Sequence, residues 1–353
     1  MKRVVCLGLL LLFIITLPGC GSSSDAGKRD EFVKPDFSMV IPVLYQNPLT
    51  GVYDRSTPYE ERPFAISINN IIAGLPQSGI SAADIMVEIE TEGGITRLMC
   101  LYTQPQRATG GIGSIRSLRH HFVDGVFQWD PIIVHIGTSD YAEQYLRKHG
   151  IKTMNGYDSE SFLYIDPERR KHYDSEHTKF TDDEHLQNAL SNPVYSLSTQ
   201  WNPAQPVAFN FPARGEEVLL EGGSARQIKY NFSQSYDGDF RFDEDKNEYI
   251  KYQHGKPHID EGNDSEPVSF SNVLLLFAPF SSLQTILVDI DYKTGGEGYY
   301  FYKGSYEHFS WNKADYDQPF HFTRDDGSEL VINAGKTHIG IVRNSYSNKL
   351  SIS

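Results

Sequence analysis

Hydrophobic and polar positions alternate along most of the chain, and the alternation gives way to a helical period in only a few places. Residues 62–70 (RPFAISINN), 85–90 (IMVEIE) and 95–103 (ITRLMCLYT) alternate, the last two on either side of Gly93-Gly94. Side chains of a strand project to opposite faces with a period of two, and a Gly-Gly pair supplies the backbone of a tight turn. Three strands are therefore predicted, the second and third as a hairpin. Residues 81–84 (SAAD) predict a short capped helical turn and 131–137 (PIIVHIG) a further strand. Residues 139–150 (SDYAEQYLRKHG) combine a capping serine, helical spacing and a terminal glycine, which together predict a helix. A second helix is predicted over 181–192, with Thr181 as its cap and Asp182, Asp183 and Glu184 at its positive end. In 114–128, Ile115, Leu118, Phe122 and Val126 share one face at helical spacing. A helix is predicted to start at Ser114, with Arg116, Arg119 and His120 on an adjacent face.

After the proline-containing connector 192–207 the helical signals stop. Runs such as NVLLLFAPF, TILVDIDYK, GYYFYKG and SELVINAGKTHIGIVR read as strands separated by Gly, Asn and Asp turns. The predicted fold class is α+β: a mixed α/β domain over 46–195, then a β-rich domain, a sandwich or open barrel, over 205–353.

The N-terminus changes the picture of where the chain resides. Lys2 and Arg3 precede an apolar run too short for a comfortable membrane span, and Leu17-Pro18-Gly19-Cys20 closes it. This ending resembles a bacterial lipobox. Residues 1–19 are expected to be a signal peptide, Cys20 to carry diacylglycerol and palmitate, and 20–45 to form a polar tether. Cys6 leaves with the signal and Cys20 is lipidated, so Cys100 remains alone, without a partner for an internal disulfide, as a buried and inert thiol. With Lys2 and Arg3 gone, 32 basic side chains become 30 against 46 acidic ones, a net charge of −16. Such a chain repels nucleic acid and anionic lipid, so attachment to the membrane is expected through acyl chains.

Candidate chemistry centres on residues 110–122 (GGIGSIRSLRHHF). Gly110, Gly111 and Gly113 precede the expected helix start, where backbone N–H groups and the forks of Arg116 and Arg119 would favour a phosphate or carboxylate. Lacking Gly-Lys-Ser/Thr, the stretch is no nucleotide P-loop. The competing reading pairs these arginines with the chain's own Glu88, Glu90 or Glu92. Alternation sets those three carboxylates on one side, opposite Val87 and Ile89. They form either a pair for acid–base work on a glycosidic bond or, more plainly, a solvated strand face. His135 reads as a core or pocket histidine. His172 and His177, with Asp174 and Glu176, occupy a polar loop open to a metal or catalytic role, though no His-Glu-x-x-His spacing supports zinc. Residues 243–248 depart from a calcium loop, with Glu248 where glycine is needed and His254 at the twelfth position. No metal and no cofactor is expected.

The runs NPLTG, RPFAISINN, PQSGISAADIMVEIETEGGITRL, GSIRSLRHHFVD and VHIG, continued distally by SEHTKF, PHID, SNVLLLF, SWNKA and DGSELVINAGKTHIGIV, resemble the YerB-like family of bacterial lipoproteins. The resemblance covers nearly all of the chain beyond the signal and implies an N-terminal and a C-terminal module of unknown function. Glu92-Gly93-Gly94-x-Thr96-Arg97, Arg116-Ser117-x-Arg119 and Asn69-Asn70 match its pattern. The chain departs from it at Gly113-Ser114, where the family carries Gly-Pro, and at Ser175-Glu176-His177, where the family carries Pro-His-Asn.

The leading expectation is a lipoprotein of the cell membrane, lipid-anchored on the extracytoplasmic face, that binds an anionic envelope ligand or an envelope protein. Asn69, Glu92, Arg97, Arg116, Arg119, His135 and His177 are its expected ligand-binding residues. The rival is an envelope hydrolase using Glu92 or Glu88 with His135 or His177, and the third reading is a scaffold with no small ligand.

Overall fold

The structure, a computed structural model, describes residues 43–55, 57–202, 208–283 and 286–353. The expected signal peptide, Cys20 and the tether up to residue 42 lie outside the described residues. The alternating runs form strands β1 (Phe64–Asn69), β2 (Ile85–Glu90) and β3 (Thr96–Tyr102), followed by β4 (Ile132–His135) and the two-residue β5 (Met154–Asn155). The distal segment supplies β6 (Gln227–Asn231), β7 (Asp237–Asp243) and β8 (Glu248–Gln253), then β9 (Asn272–Ala278), β10 (Gly296–Tyr302), β11 (Ser305–Lys313), β12 (Phe320–Arg324) and β13 (Thr337–Arg343). The fold is mostly sheet with few helices, and α+β describes it.

One sheet of ten strands runs β12-β11-β10-β9-β13-β2-β3-β1-β4-β5. Its centre is where the two sequence segments meet: β13 lies parallel to β2, Thr337 beside Ile85 and Ile341 beside Ile89, and parallel to β9 on its other edge. The segments 46–195 and 205–353, expected to carry separate cores, thus complete a single sheet. The physical reason is that β2, β9 and β13 are buried along nearly their whole length, so each needs neighbours at both edges and cover on both faces. A second sheet, built on β8, β7 and β6, packs over one face.

Parity along the strands decides which cover each side chain meets. Ile85, Val87 and Ile89 join the core beneath the helices at 120–126 and 140–149, with Leu274, Leu276, Ile339 and Ile341. Met86, Leu98, Cys100, Val273 and Leu275 face the second sheet, against Ile228, Tyr230, Phe240 and Tyr249. Glu88 and Glu90 share the parity of Met86 and so lie under that sheet, 1% and 5% exposed. The solvated carboxylate face expected there is covered, because alternation reports sidedness and says nothing of what packs on each side. Cys100 is buried in the same layer, and burial pushes its thiol pKa up.

Helix α1 (His120–Val126) starts six residues later than predicted. Residues 114–118 are extended, because their backbone groups find partners on neighbouring chain. Ile115 N–H donates to Lys179 O (2.9 Å), Arg116 N–H to Ser67 O (2.8 Å) and Leu118 N–H to Gly137 O (3.0 Å). Ile115 and Leu118 consequently point into opposite cores, although their spacing with Phe122 and Val126 is helical. The Gly113–Ser114 peptide is cis. Helix α2 (Asp140–His149) matches its signals: Ser139 Oγ accepts from Ala142 N–H, and Gly150 ends it at a left-handed φ of 65°. Helix α3 (Asp183–Leu190) is capped by Asp182, which accepts from His185 N–H. Thr181, the expected cap, ends the short strand Lys179–Thr181.

Candidate functional site

The ends of β1 and β3 and the extended stretch 114–119 bring most of the expected site residues together. Asn69 stands opposite Arg97 across the β1–β3 ladder. Asn69 Oδ1 accepts from Ile71 N–H, which turns its amide NH2 toward His177, where Nδ2 donates to Nδ1 at 2.8 Å. His177 Nε2 then faces Glu176 at 3.4 Å, and Glu176 accepts from Arg116 Nη1 at 3.0 Å. Gly74 leaves room for this pair, since a Cβ there would lie 2.5 Å from Asn69 Nδ2. Burial holds the His177 imidazole below its ordinary pKa against the pull of Glu176. Buried Arg169 fixes the loop by donating to Gly74 O, Pro76 O and Glu261. Sequence gave no signal for Arg169, whose partners lie in distant segments.

The arginines form a rim beside this pair. Arg119 Nε donates to Glu92 Oε1 at 2.6 Å and its Nη1 to Leu118 O. Arg97 is 5% exposed and donates through Nη1 to Ser117 O at 2.5 Å. Among the described residues no carboxylate lies within ion-pair distance of it. Burial, then the charges of Arg119 and Arg116, pull its pKa down to about 9 against the attraction of Glu92, which leaves it charged at neutral pH. Arg116 Nε is buried without a hydrogen-bond partner. For Glu92, burial raises the pKa, but the Arg119 hydrogen bond and charge outweigh it and the net shift is downward. Arg119 thus meets Glu92 of the hairpin turn, while Arg116 meets Glu176 and none of Glu88, Glu90 and Glu92.

His135 does not join the rim. It is fully buried, with Nδ1 2.8 Å from Gly137 O and Nε2 2.8 Å from Thr153 Oγ1. A neutral ring satisfies both contacts, donating to the carbonyl and accepting from the hydroxyl. Burial lowers its pKa to about 4. It is a satisfied core histidine.

Glu88 sits in a sealed network that joins both segments. Oε1 accepts from Asn70 Nδ2 (3.1 Å) and Thr96 Oγ1 (2.7 Å), and Oε2 faces Lys251 Nζ (3.1 Å) and His338 Nε2 (3.2 Å). Gln77 extends it, donating to Asn70 Oδ1 and meeting His258 Nε2 at 2.7 Å. Burial alone would raise the Glu88 pKa, yet Lys251, His338 and Thr96 hold it well below the carboxylate range. Glu90 takes both oxygens to Arg343, at 2.6 and 2.9 Å. Of the three carboxylates of this run, only Glu92 reaches the rim.

Comparisons with known proteins fit this architecture. A protein described as "Putative lipoprotein YerB" from Bacillus subtilis (strain 168) is 28% identical over 303 residues, covering 84% of this chain and 85% of that protein. The crystal structure of YerB protein from Bacillus subtilis superposes with a TM-score of 0.73 at 26% identity, covering 87% of this chain and 99% of that one. Residues 49–196 match the family described as "Protein of unknown function (DUF3048) N-terminal domain", and residues 226–339 match its C-terminal domain. The chain belongs to this DUF3048 family.

Proposed function

We propose that the protein is a lipoprotein, anchored through Cys20 on the extracytoplasmic face of the membrane, whose arginine rim binds an anionic group of an envelope ligand. The anchoring half rests on the lipobox-like end of the signal segment and on the relative's description as a lipoprotein. The binding half is carried by one observation: three guanidiniums converge on two carboxylates, and Arg97 has none of its own. A positive surplus held by one buried arginine and two partly exposed, hydrogen-bonded ones is preorganised for a carboxylate or phosphate. Asn69 and His177 sit at its border and supply polar groups.

The rim gives no support to the hydrolase reading. A general acid needs a carboxyl whose pKa is raised toward the working pH, and Glu92 is shifted the other way while Glu88 is sealed and ionised. The test is calorimetric titration with oligogalacturonate, an anionic oligosaccharide. Arg116→Ala and Arg119→Ala should each weaken binding about tenfold at low ionic strength, and salt should weaken the wild type. Binding that ignores both substitutions would falsify the reading.

A further inference from the structure

A cavity of about 320 Å³ opens beside helix α1, at the lower end of the roughly 300–1,000 Å³ range of ligand pockets. Its wall is aromatic: the His149 ring lies 4.5 Å from the Tyr145 ring and 4.3 Å from the Tyr316 ring. All three rings are only partly buried, so apolar faces are offered to whatever enters. Around them stand four carboxylates, Asp124, Asp289, Asp291 and Asp315, and three ammoniums, Lys148, Lys293 and Lys313; Asp315 pairs with Lys293 at 3.4 Å, Asp289 with His120, and Asp291 accepts from the Lys293 and Thr294 backbone. Opposite charges so nearly matched select neither an anion nor a cation. What remains is a set of hydrogen-bond acceptors and donors beside a stacking surface, and that combination suits a neutral molecule with many hydroxyls. Each hydroxyl donates to a carboxylate and accepts from an ammonium, while the C–H face of a sugar ring packs on tyrosine.

The carboxyl at the base of the cavity is placed for this task. Asp124 accepts from Tyr145 OH at 2.5 Å, and burial lifts its pKa to about 6. Lys313 is buried behind it and donates to Gln318 O. Helix α1 links the cavity to the arginine rim. Arg119 is the N-cap of α1, the next residue, His120, reaches Asp289 of the cavity wall at 2.9 Å, and Asp124 follows one turn along the same helix face.

We propose that this cavity is a saccharide site, which holds one ring of a glycan against Tyr145, His149 and Tyr316. Joined to the rim across His120 and Asp289, it makes a continuous site for an anionic glycan of the envelope, a step that rests on the anion-binding reading above. Sugar rings would occupy the cavity and acidic groups the arginines.

The test titrates the mature protein with two probes, the neutral tetramer of N-acetylglucosamine and oligogalacturonate. The tetramer should bind the wild type, lose at least about tenfold in affinity with Tyr316→Ala, recover with Tyr316→Phe and ignore Arg116→Ala. Oligogalacturonate should weaken with both Tyr316→Ala and Arg116→Ala. Absence of tetramer binding at millimolar concentration overturns the saccharide site, as does tetramer binding indifferent to Tyr316→Ala. Oligogalacturonate binding that depends on Tyr316 and not on Arg116 leaves the cavity standing and overturns the rim.

Discussion

Glu88 and Glu92 stand four residues apart in one run of sequence, and the two regions they anchor are opposites. Around Glu88 each carboxylate oxygen has two partners, from Asn70, Thr96, Lys251 and His338, and solvent is excluded. Around Glu92 the partners are arginines in excess, at the edge of the molecule, with Arg97 short of a carboxylate. The same side-chain chemistry is therefore spent on joining two segments in one place and leaves an electrostatic surplus in the other. What separates the cases is burial: the second sheet closes over the Glu88 side of β2, whereas Glu92 at the hairpin turn keeps part of its side chain in solvent.

The comparison breaks most sharply if the Glu88 network tolerates damage. Lys251→Met leaves a buried charge without its counter-ion and should cost about 3–5 kcal/mol of unfolding free energy in urea melts. Glu88→Gln made together with Lys251→Met should recover most of that loss, since no charge is then stranded. A Lys251→Met protein of unchanged stability would mean that the network is not sealed.

A second buried group extends the contrast to pH. The folded pKa of His135, about 4, is depressed below the ordinary value near 6.5, so the unfolded chain binds the proton first as pH falls. Its contribution is fully present above about pH 6.5 and is lost between there and about pH 4, on the order of 3 kcal/mol by the standard conversion. Urea midpoints followed from pH 7 to 4 should fall less steeply in His135→Gln than in the wild type. Parallel slopes would show that the histidine is not held neutral.

How much of this was legible in the sequence follows the range of the interactions. β1 to β3 and helix α2 rest on alternation and on caps within a few residues, and they lie where the pattern places them. Residues 114–118 carry a helical spacing but are extended, because their hydrogen bonds come from Ser67, Gly137 and Lys179. No local pattern announces that supply. Asn69 and His177 were recognisable as polar candidates, yet their pairing spans 108 residues, and the bond from His338 to Glu88 spans 250. Residue type is readable from sequence, but the partner that decides between site and scaffold is set by topology.

On the open side, the expected effects move from stability to affinity. Arg116 and Glu176 form a pair whose side chains are 27% and 51% exposed, a setting in which solvent screens most of the attraction. Arg116→Ala should change unfolding free energy by less than about 1 kcal/mol, while weakening oligogalacturonate about tenfold. Equal losses in both measurements would move Arg116 from the ligand to the scaffold.

The smallest expected effect is also the one that separates the rim most cleanly from a catalytic site. Glu92 neutralises Arg119, so it competes with any incoming anion for the same fork. Glu92→Gln keeps the shape, leaves a weaker acceptor for Arg119 and removes one negative charge. Oligogalacturonate should then bind roughly two- to fivefold tighter, a gain below about 1 kcal/mol because the site is partly open to solvent. A hydrolase that used Glu92 as its acid or base would respond in the opposite sense, with turnover on glycan fragments lost at unchanged thermal stability. Affinity and turnover measured on this one variant thus point in opposite directions for the two chemistries, and a rise in affinity assigns Glu92 to tuning the arginines.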